Sequence, residues 1–345
     1  MINGRHELSY CFEVLRDGIR VQEVRAARTG DIYCSADAEI KRSVSCSLYL
    51  PEGVDLLRDE LRVSLILDGV KTPLGIFTVT TMPRSVSSDG VTVYRCEGYD
   101  RGYRVQSRRI ERRSEGYIAA GTKYTDAVQS FLLRSGIQTV LIPDSPLTLR
   151  KDREDWDVGE SFLTIVNTLL GEINYTSLWF DRSGVARSEP YTAPTERVVR
   201  FTYQSGKDAV VRAHSAQDDY FGAHNVFTVG VSNSDTDPIF VTEVNDSLDS
   251  RISTVYRGRI AAPVVMLDGA PSEDEVRRYA QNLVLKSRIS TETASIQTAP
   301  EAGHEVGDAV SLSLPEISGK FEEIGWTLPL DGSLMTHELR RAVYV

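Results

Sequence analysis

Ser43-Val44-Ser45-Cys46-Ser47-Leu48-Tyr49-Leu50 is the run that decides the fold class. Side chains of an extended chain point alternately to opposite faces. Val44, Cys46, Leu48 and Leu50 therefore share one side, while Ser43, Ser45, Ser47 and Tyr49 share the other. An apolar face backed by a polar one is the pattern of a half-buried strand in a sheet covered on one side only.

Outward from this run, residues 1–100 read as almost entirely strand. Leu8 to Leu15, Leu61 to Leu67, Gly75 to Thr81 and Val91 to Cys96 are rich in Val, Ile, Thr, Tyr and Phe, which suit a pleated surface. Asp17-Gly18, Asp68-Gly69 and Asp89-Gly90 fall between such runs. Asp and Gly tolerate the positive φ that tight hairpins require. The segment is expected to be a hairpin-rich barrel or sandwich.

Residues 101–198 change character. Thr125 is placed to cap a helix with Ala127, Val128, Phe131 and Leu132 on its apolar face, and Gly136 to end it. A second helix is expected from Gly159–Ser161, carrying Phe162, Leu163, Ile165, Val166, Leu169 and Leu170, with Gly171 as its stop. A strand through Leu178, Trp179 and Phe180, a turn at Asp181-Arg182-Ser183-Gly184 and a returning strand complete an α+β insertion, in which Trp179 is read as core.

Residues 199–345 return to strand. Val199 to Tyr203, Asn225 to Val231, Ile239 to Val244, Val310 to Leu314, Phe321 to Thr327 and Leu334 to Val345 carry the pattern. A helix near 272–288 interrupts them, with a capping box from Ser272 and Glu275 and a face of Val276, Tyr279, Ala280, Leu283 and Val284. Gly75-Ile76-Phe77 leads through Asp89-Gly90 to Arg95 much as Gly319-Lys320-Phe321 leads through Asp331-Gly332 to Arg340. Either this echo marks two related barrels, or two hairpins share the same construction rules. The expected architecture is mainly β with an α+β insertion, divided as 1–100, 101–198 and 199–345.

The 345 residues include 39 Lys and Arg against 49 Asp and Glu, a net charge of −10. Affinity for phosphates comes chiefly from cations that displace counterions, so the balance argues against a nucleic-acid binder. Arg101, Arg104, Arg108, Arg109, Arg112 and Arg113 form a local exception, read as a solvated or interface-facing arginine strand in preference to a phosphate stripe. No apolar run approaches the roughly 20 residues of a membrane span, and the charged start, Met1 to Arg20, lacks a secretory centre. Cytoplasmic assembly is therefore expected. Cys11, Cys34, Cys46 and Cys96 contain no Cys-x-x-Cys pair and are expected to be reduced, buried thiols.

A search for chemistry returns absences. The sequence holds no Gly-x-Ser-x-Gly elbow, no His-Glu-x-x-His, no phosphate loop and no dinucleotide fingerprint. His6, His214, His224, His304 and His337 are scattered along the chain. His214 and His224 bracket Asp218 and Asp219, a metal or acid–base pattern set against ordinary loop polarity. Asn233-Ser234-Asp235-Thr236-Asp237 opens like a calcium loop, but Pro238 and Val244 occupy the positions of its glycine and bidentate glutamate. Asp152, Glu154, Asp155 and Asp157 read as a solvated turn, and the sequons at Asn174 and Asn245 carry no meaning without secretion. No catalytic, cofactor-binding or metal-binding residue is assigned.

The order of elements resembles the hub family of bacteriophage tails and related contractile injection machines. The likeness rests on Pro73-Leu74-Gly75-Ile76-Phe77-Thr78-Val79, on the helix–strand–turn–strand from Ser161 to Pro190, and on Asn225-Val226-Phe227-Thr228-Val229-Gly230. It rests further on Ile252 to Arg259, on the helix from Ser272 followed by Val306-Gly307-Asp308-Ala309-Val310, and on the hairpin from Trp326 to Arg341. The resemblance implies two barrel-like tube domains per chain and a homotrimer that adapts a sixfold tube to a threefold tip. It also implies partners in a distal tail or tube protein, a tip, fibre or spike protein and a tape-measure protein, with DNA only in transit. A virion protein without enzyme activity, cofactor or membrane insertion is the expectation, any fused hydrolase being placed on another polypeptide because the chain stops after the hairpin. A glycan- or receptor-binding module using Trp156, Trp179 and Tyr175 is the alternative reading, and a tail-associated cell-wall hydrolase the third.

Overall fold

The computed structural model describes residues 6–154, 156–206, 211, 213–219, 223–233, 236–267, 273–287, 289–315 and 317–344. The strands of the first hundred residues are β1 (Leu8–Arg16), β2 (Ile19–Ser35), β3 (Arg42–Tyr49), β4 (Glu60–Leu67), β5 (Val70–Thr81), β6 (Arg84–Val86) and β7 (Thr92–Asp100). Then come α1 (Gly102–Ser107), α2 (Tyr124–Arg134), β8 (Val140–Leu141), α3 (Phe162–Glu172), β9 (Trp179–Phe180) and β10 (Ala186–Arg187). The remainder holds β11 (Val199–Gln204), β12 (Ala213–Asp219), β13 (Val226–Asn233), β14 (Thr236–Val244), α4 (Thr254–Arg257), β15 (Val265–Leu267) and α5 (Glu273–Ser287). It ends with β16 (Ile289–Thr298), β17 (Ala309–Leu314), β18 (Ile317–Pro329) and β19 (Met335–Tyr344). The chain divides into two units, Met1–Ala213 with Ile296–Glu338, and His214–Ser295 with Leu339–Val345. Among the described residues, no helix is long and apolar enough to cross a membrane.

In the first unit, six strands close into a barrel in the order β1-β4-β5-β7-β3-β2, with β2 returning to β1. Two of its hairpins are two-residue turns with both central residues left-handed, Asp17 (φ 54°) with Gly18 (79°) and Asp68 (φ 50°) with Gly69 (79°), a geometry that matches the twist of paired strands. Closure depends on β2, whose 17 residues do two jobs. Ile19–Val24 pairs with β1, and the register against β3 then slips twice between Ala26 and Asp31. Such bulges bend a strand. A Cβ at Gly30 would sit 1.9 Å from the Ser45 carbonyl oxygen, so the crossing admits only glycine.

The alternation read from Val44, Cys46 and Leu48 is realised: all three are buried inside the barrel. Phe12, Val14, Leu61, Val63, Phe77 and Cys96 fill the same interior, joined by Trp326, Leu328 and Met335 from the chain's end. Burying one such large side chain contributes roughly 1.5–3 kcal/mol. The barrel is therefore a packed core and not a pore. All four cysteines are buried and unbridged.

Beyond the bulge, residues 31–35 of β2 pair with β18, which takes over the edge that β1 leaves. β18 also pairs antiparallel with β17, and β17 pairs parallel with β11. Among the described residues one barrel closes, and the strands after residue 199 do not trace a second ring.

The α+β insertion packs α2 against α3 around Val128, Phe131, Leu132, Phe162, Ile165 and Val166. Phe131 and Phe162 meet edge to face at 4.9 Å. Ser161 caps α3 by accepting from the Thr164 amide, 3.0 Å away. Three local expectations change. Thr125 does not cap α2: the cap position is Lys123, and the Thr125 hydroxyl donates to Asp144 Oδ1 at 2.9 Å. Gly136 (φ 78°) follows α2 as expected, but Asn174 (φ 57°), not Gly171, supplies the left-handed residue after α3. Trp179 is half-buried, while its neighbours Leu178 and Phe180 enter the core.

In the second unit, β13 pairs antiparallel with β14 and parallel with β15. Val276 and Ala280 of α5 cover Val229, Val231 and Val241 on one face of this sheet. Tyr279, expected on that helix face, is exposed. Buried Asn225 donates to the carbonyls of Ile252 (3.0 Å) and Gly258 (2.7 Å), and Asn245 donates to Ser250 Oγ, so the second sequon's amide is committed to internal bonds. Ser272 lies outside the described residues.

Candidate functional site

Three polar features of the first unit stand out against its apolar core. The innermost is a carboxylate held between two imidazoles. Glu323 of β18 receives His304 Nδ1 at 2.6 Å and His337 Nδ1 of β19 at 2.6 Å, with all three side chains buried. His304 Nε2 reaches the Tyr203 hydroxyl at 2.9 Å, and Phe201 stacks on its ring at 3.6 Å. Thr298 Oγ1 lies 2.9 Å from His337 Nε2. Burial pushes His304 down, but its bonds to Glu301 and Glu323 outweigh that and raise it to about 9. Burial likewise pushes Glu323 up, and the two imidazoles more than reverse it, so its carboxyl is held below the usual range.

His304, Glu323 and His337 are close enough together to suggest a metal centre. Both Nδ1 atoms, however, lie at hydrogen-bonding distance from the one carboxylate, one on each of its oxygens. The arrangement is a buried hydrogen-bonded node, which ties the loop before β17 to β18 and β19. Nothing in the sequence pointed to it, because the two histidines are 33 positions apart, 337 − 304, and only the fold brings the loop before β17 against β19. They are not scattered, as their spacing had implied.

A second tie joins the barrel to the same loop. Arg42, an unexpected buried cation at the start of β3, is ion-paired to Glu305 and lies over the Trp326 ring at 5.5 Å. Its amide donates to Asp100 Oδ2, and Gly102 donates to Oδ1. Burial pushes the Asp100 carboxyl up to about 6, against those donors. On the barrel wall, buried Glu13 is surrounded by Arg20, Arg62 and Lys71 at 2.9, 2.6 and 2.7 Å. Its proximity to Cys11 and Glu23 is thus a salt-bridge cluster and not a ligand set.

The third feature is a cleft of about 770 Å³ lined by Trp179, Tyr191, Arg182, Arg187, Arg197 and Arg200 along with Asp181, Glu305, Asp308 and Glu322. Its cations are largely spent on its acids: Arg187 on Asp181 (2.6 Å), Arg197 on Glu322 (2.8 Å) and Arg200 on Asp308 (2.8 Å). Trp179 lines it, with the Arg187 guanidinium over its ring at 6.0 Å. Trp156 does not, and Arg153 covers its ring at 4.7 Å, while the Tyr175 hydroxyl donates to the Pro143 carbonyl at 3.3 Å.

The arginine run is not a strand: Arg104 lies in α1, and Arg113 in a single 3-10 turn. Arg101 binds Glu60 through two parallel bonds of 2.8 Å and also donates to the Gly184 carbonyl; Arg104 adds to Glu60, and Arg109 donates to the Gly159 carbonyl. Arg108 pairs with Glu111. The run therefore fastens the insertion to barrel strand β4 through Glu60 and to itself through the Gly184 and Gly159 carbonyls. His6 bonds Asp68, and His214 is exposed. The side chains of Asp218 and Asp219, as well as Asp155, Ser234 and Asp235, lie outside the described residues. Asp152, Glu154 and Asp157 are exposed, as a solvated turn should be.

Superposition with solved structures pairs 96% of this chain with 97% of the tail protein from Neisseria meningitidis MC58, at a TM-score of 0.64 and 13% identity. The chain carries a phage-tail-protein fold. The 43 kDa tail protein of prophage MuSo2 from Shewanella oneidensis gives the same TM-score of 0.64, with 11% identity over 96% of this chain and 98% of its own. Neither a family model nor a curated protein sequence matches the chain.

Proposed function

We propose that this protein is a structural tail hub, a virion component assembled in the host cytoplasm that closes the end of a tail tube as a homotrimer. The observation that carries the reading is the tail-protein fold, matched nearly end to end around a closed, fully packed barrel. A barrel filled with its own side chains transports nothing; in this reading three chains together surround the channel, each contributing two related β bodies, 1–100 and 199–345, separated by the 101–198 insertion. Distal tail or tube proteins on one side and a tip, fibre or spike on the other are the partners, and DNA passes without being held. The net charge of −10 supports that last point, since an acidic wall repels a polyanion over about 8 Å at physiological salt.

Self-association has a physical incentive. On the face of the β14-β13-β15 sheet that α5 leaves open, Phe240 (57% exposed) and Met266 (49%) close over Gly230, where a Cβ would stand 2.5 Å from the phenyl ring. Exposed apolar side chains gathered on one sheet face favour an assembly that covers them. Electron microscopy of the purified protein tests the proposal: a threefold ring is expected, and a monomer in solution and in the particle would defeat it. Trp179 in its cleft supports a second reading, a tail-tip glycan-binding module, for which glycan-array binding lost on Trp179→Ala is the test.

A further inference from the structure

Of the four cysteines, two are placed differently from the others. Cys46 of β3 and Cys96 of β7 are direct register partners in the antiparallel ladder, and both point into the barrel interior. The Cys96 thiol donates to the Tyr94 carbonyl at 3.7 Å, on its own strand. Residues opposite one another in such a ladder hold their Cβ atoms about 4.5–5.5 Å apart, and a disulfide needs about 3.5–4.5 Å with Cα atoms 4.4–6.8 Å apart. Closing the bond thus asks for less than a side-chain rotation plus a small approach of two strands already paired. Cys11 faces Ser64, and Cys34 faces Arg42, so neither has a thiol across the ladder.

We propose that Cys46 and Cys96 are a modification site, a thiol pair that a hydroperoxide converts to a cross-strand disulfide locking β3 to β7 inside the barrel. With Cys96 as the attacking thiolate, the nucleophilic form of a thiol, the conversion takes two steps. The thiolate's electron pair attacks one peroxide oxygen, the O–O bond breaks, and the departing hydroxide or alkoxide takes up a proton. The resulting Cys96 sulfenic acid is attacked at sulfur by Cys46; the S–S bond forms, the S–O bond breaks, and hydroxide leaves with the Cys46 proton as water. Two thiols lose two electrons, and the peroxide gains them. Hydrogen peroxide is the member of the class small enough to pass between packed strands, whereas glutathione disulfide is not. A protein made in a reducing cytoplasm and then released from it meets that change of compartment, and the bond would link two strands some fifty residues apart in sequence, constraining the unfolded chain.

The test uses the full chain, treated with hydrogen peroxide under native conditions, quenched and mapped by mass spectrometry without reduction. The expected result is loss of two thiols, a peptide pair joined through Cys46 and Cys96, Cys11 and Cys34 still alkylatable, and a thermal midpoint that rises and returns with dithiothreitol. Four thiols retained, a Cys96 sulfinic acid without the link, or a link through Cys11 or Cys34 would overturn the proposal. In Cys46→Ala the reaction should stop at a Cys96 sulfenic acid trapped by dimedone; should that variant fail to fold, the wild-type map decides alone.

Discussion

His304 Nδ1 lies 2.6 Å from Glu323 Oε2, and neither side chain reaches solvent. His304 is raised to about 9 from 6.5. A histidine raised on folding gives stability that is complete below its unfolded pKa and is lost as the pH climbs through the folded one. Glu323 is lowered from 4.5, so its share is complete above that value and disappears in acid. Urea midpoints should therefore be highest between about pH 4.5 and 6.5 and should fall between 6.5 and 9, by on the order of 3 kcal/mol. His304→Gln should flatten that alkaline slope; an unchanged slope would remove His304 from the account.

Arg101 grips Glu60 with two parallel bonds and the Gly184 carbonyl with a third. Lysine keeps the charge but cannot reproduce the fork. Arg101→Lys should cost about 1–3 kcal/mol in denaturant unfolding, and a cost near zero would mean the contact is only a surface pair.

Gly30 and Gly18 separate two reasons for glycine. At Gly18 (φ +79°) the added Cβ meets nothing, so Gly18→Ala should cost only backbone strain, roughly 1 kcal/mol. At Gly30 it meets the Ser45 carbonyl, and Gly30→Ala should cost more than about 3 kcal/mol by parting β2 from β3. Equal midpoints for the two variants would refute the bulge as the point of closure.

Adjacent aromatics of β9 should behave oppositely. Phe180 is 2% exposed, and Phe180→Ala should cost about 3–5 kcal/mol. Trp179 lines the cleft, and Trp179→Ala should cost at most about 1 kcal/mol. Calorimetry of the pair decides it.

Phe240→Asp puts a charge on the open sheet face opposite Val229 and Val241. Light scattering should show the proposed trimer lost at unchanged far-ultraviolet dichroism. A trimer that survives would move the self-contact elsewhere.

Much of this was legible in the sequence because it is local. Two-residue Asp-Gly turns, the period of two through Val44, Cys46 and Leu48, and the cap at Ser161 each depend on residues within a few positions of one another, where backbone sterics and side-chain direction leave little choice. Local signals misled where two groups competed for one role. Thr125 had Asp144 to bond and left the cap; Gly171 stayed helical because Asn174, three residues on, could turn the chain. The arginine run looked like a strand because nothing in its neighbourhood revealed that Glu60 and the Gly184 carbonyl were waiting for Arg101.

The Asp-Gly hairpins, the alternating burial along β3 and the cap of α3 were thus determined by the sequence alone, since burial period and turn chemistry are written residue by residue. Only the tertiary structure decided that the six strands close, through a bulge at Gly30 against Ser45, that Arg42 pairs with Glu305, and that His304 and His337 share the Glu323 carboxylate. These depend on register between strands up to about 260 residues apart, 305 − 42 = 263 for Arg42 and Glu305. A charged residue's pattern says it should be exposed, and the partner that permits its burial is supplied by the fold.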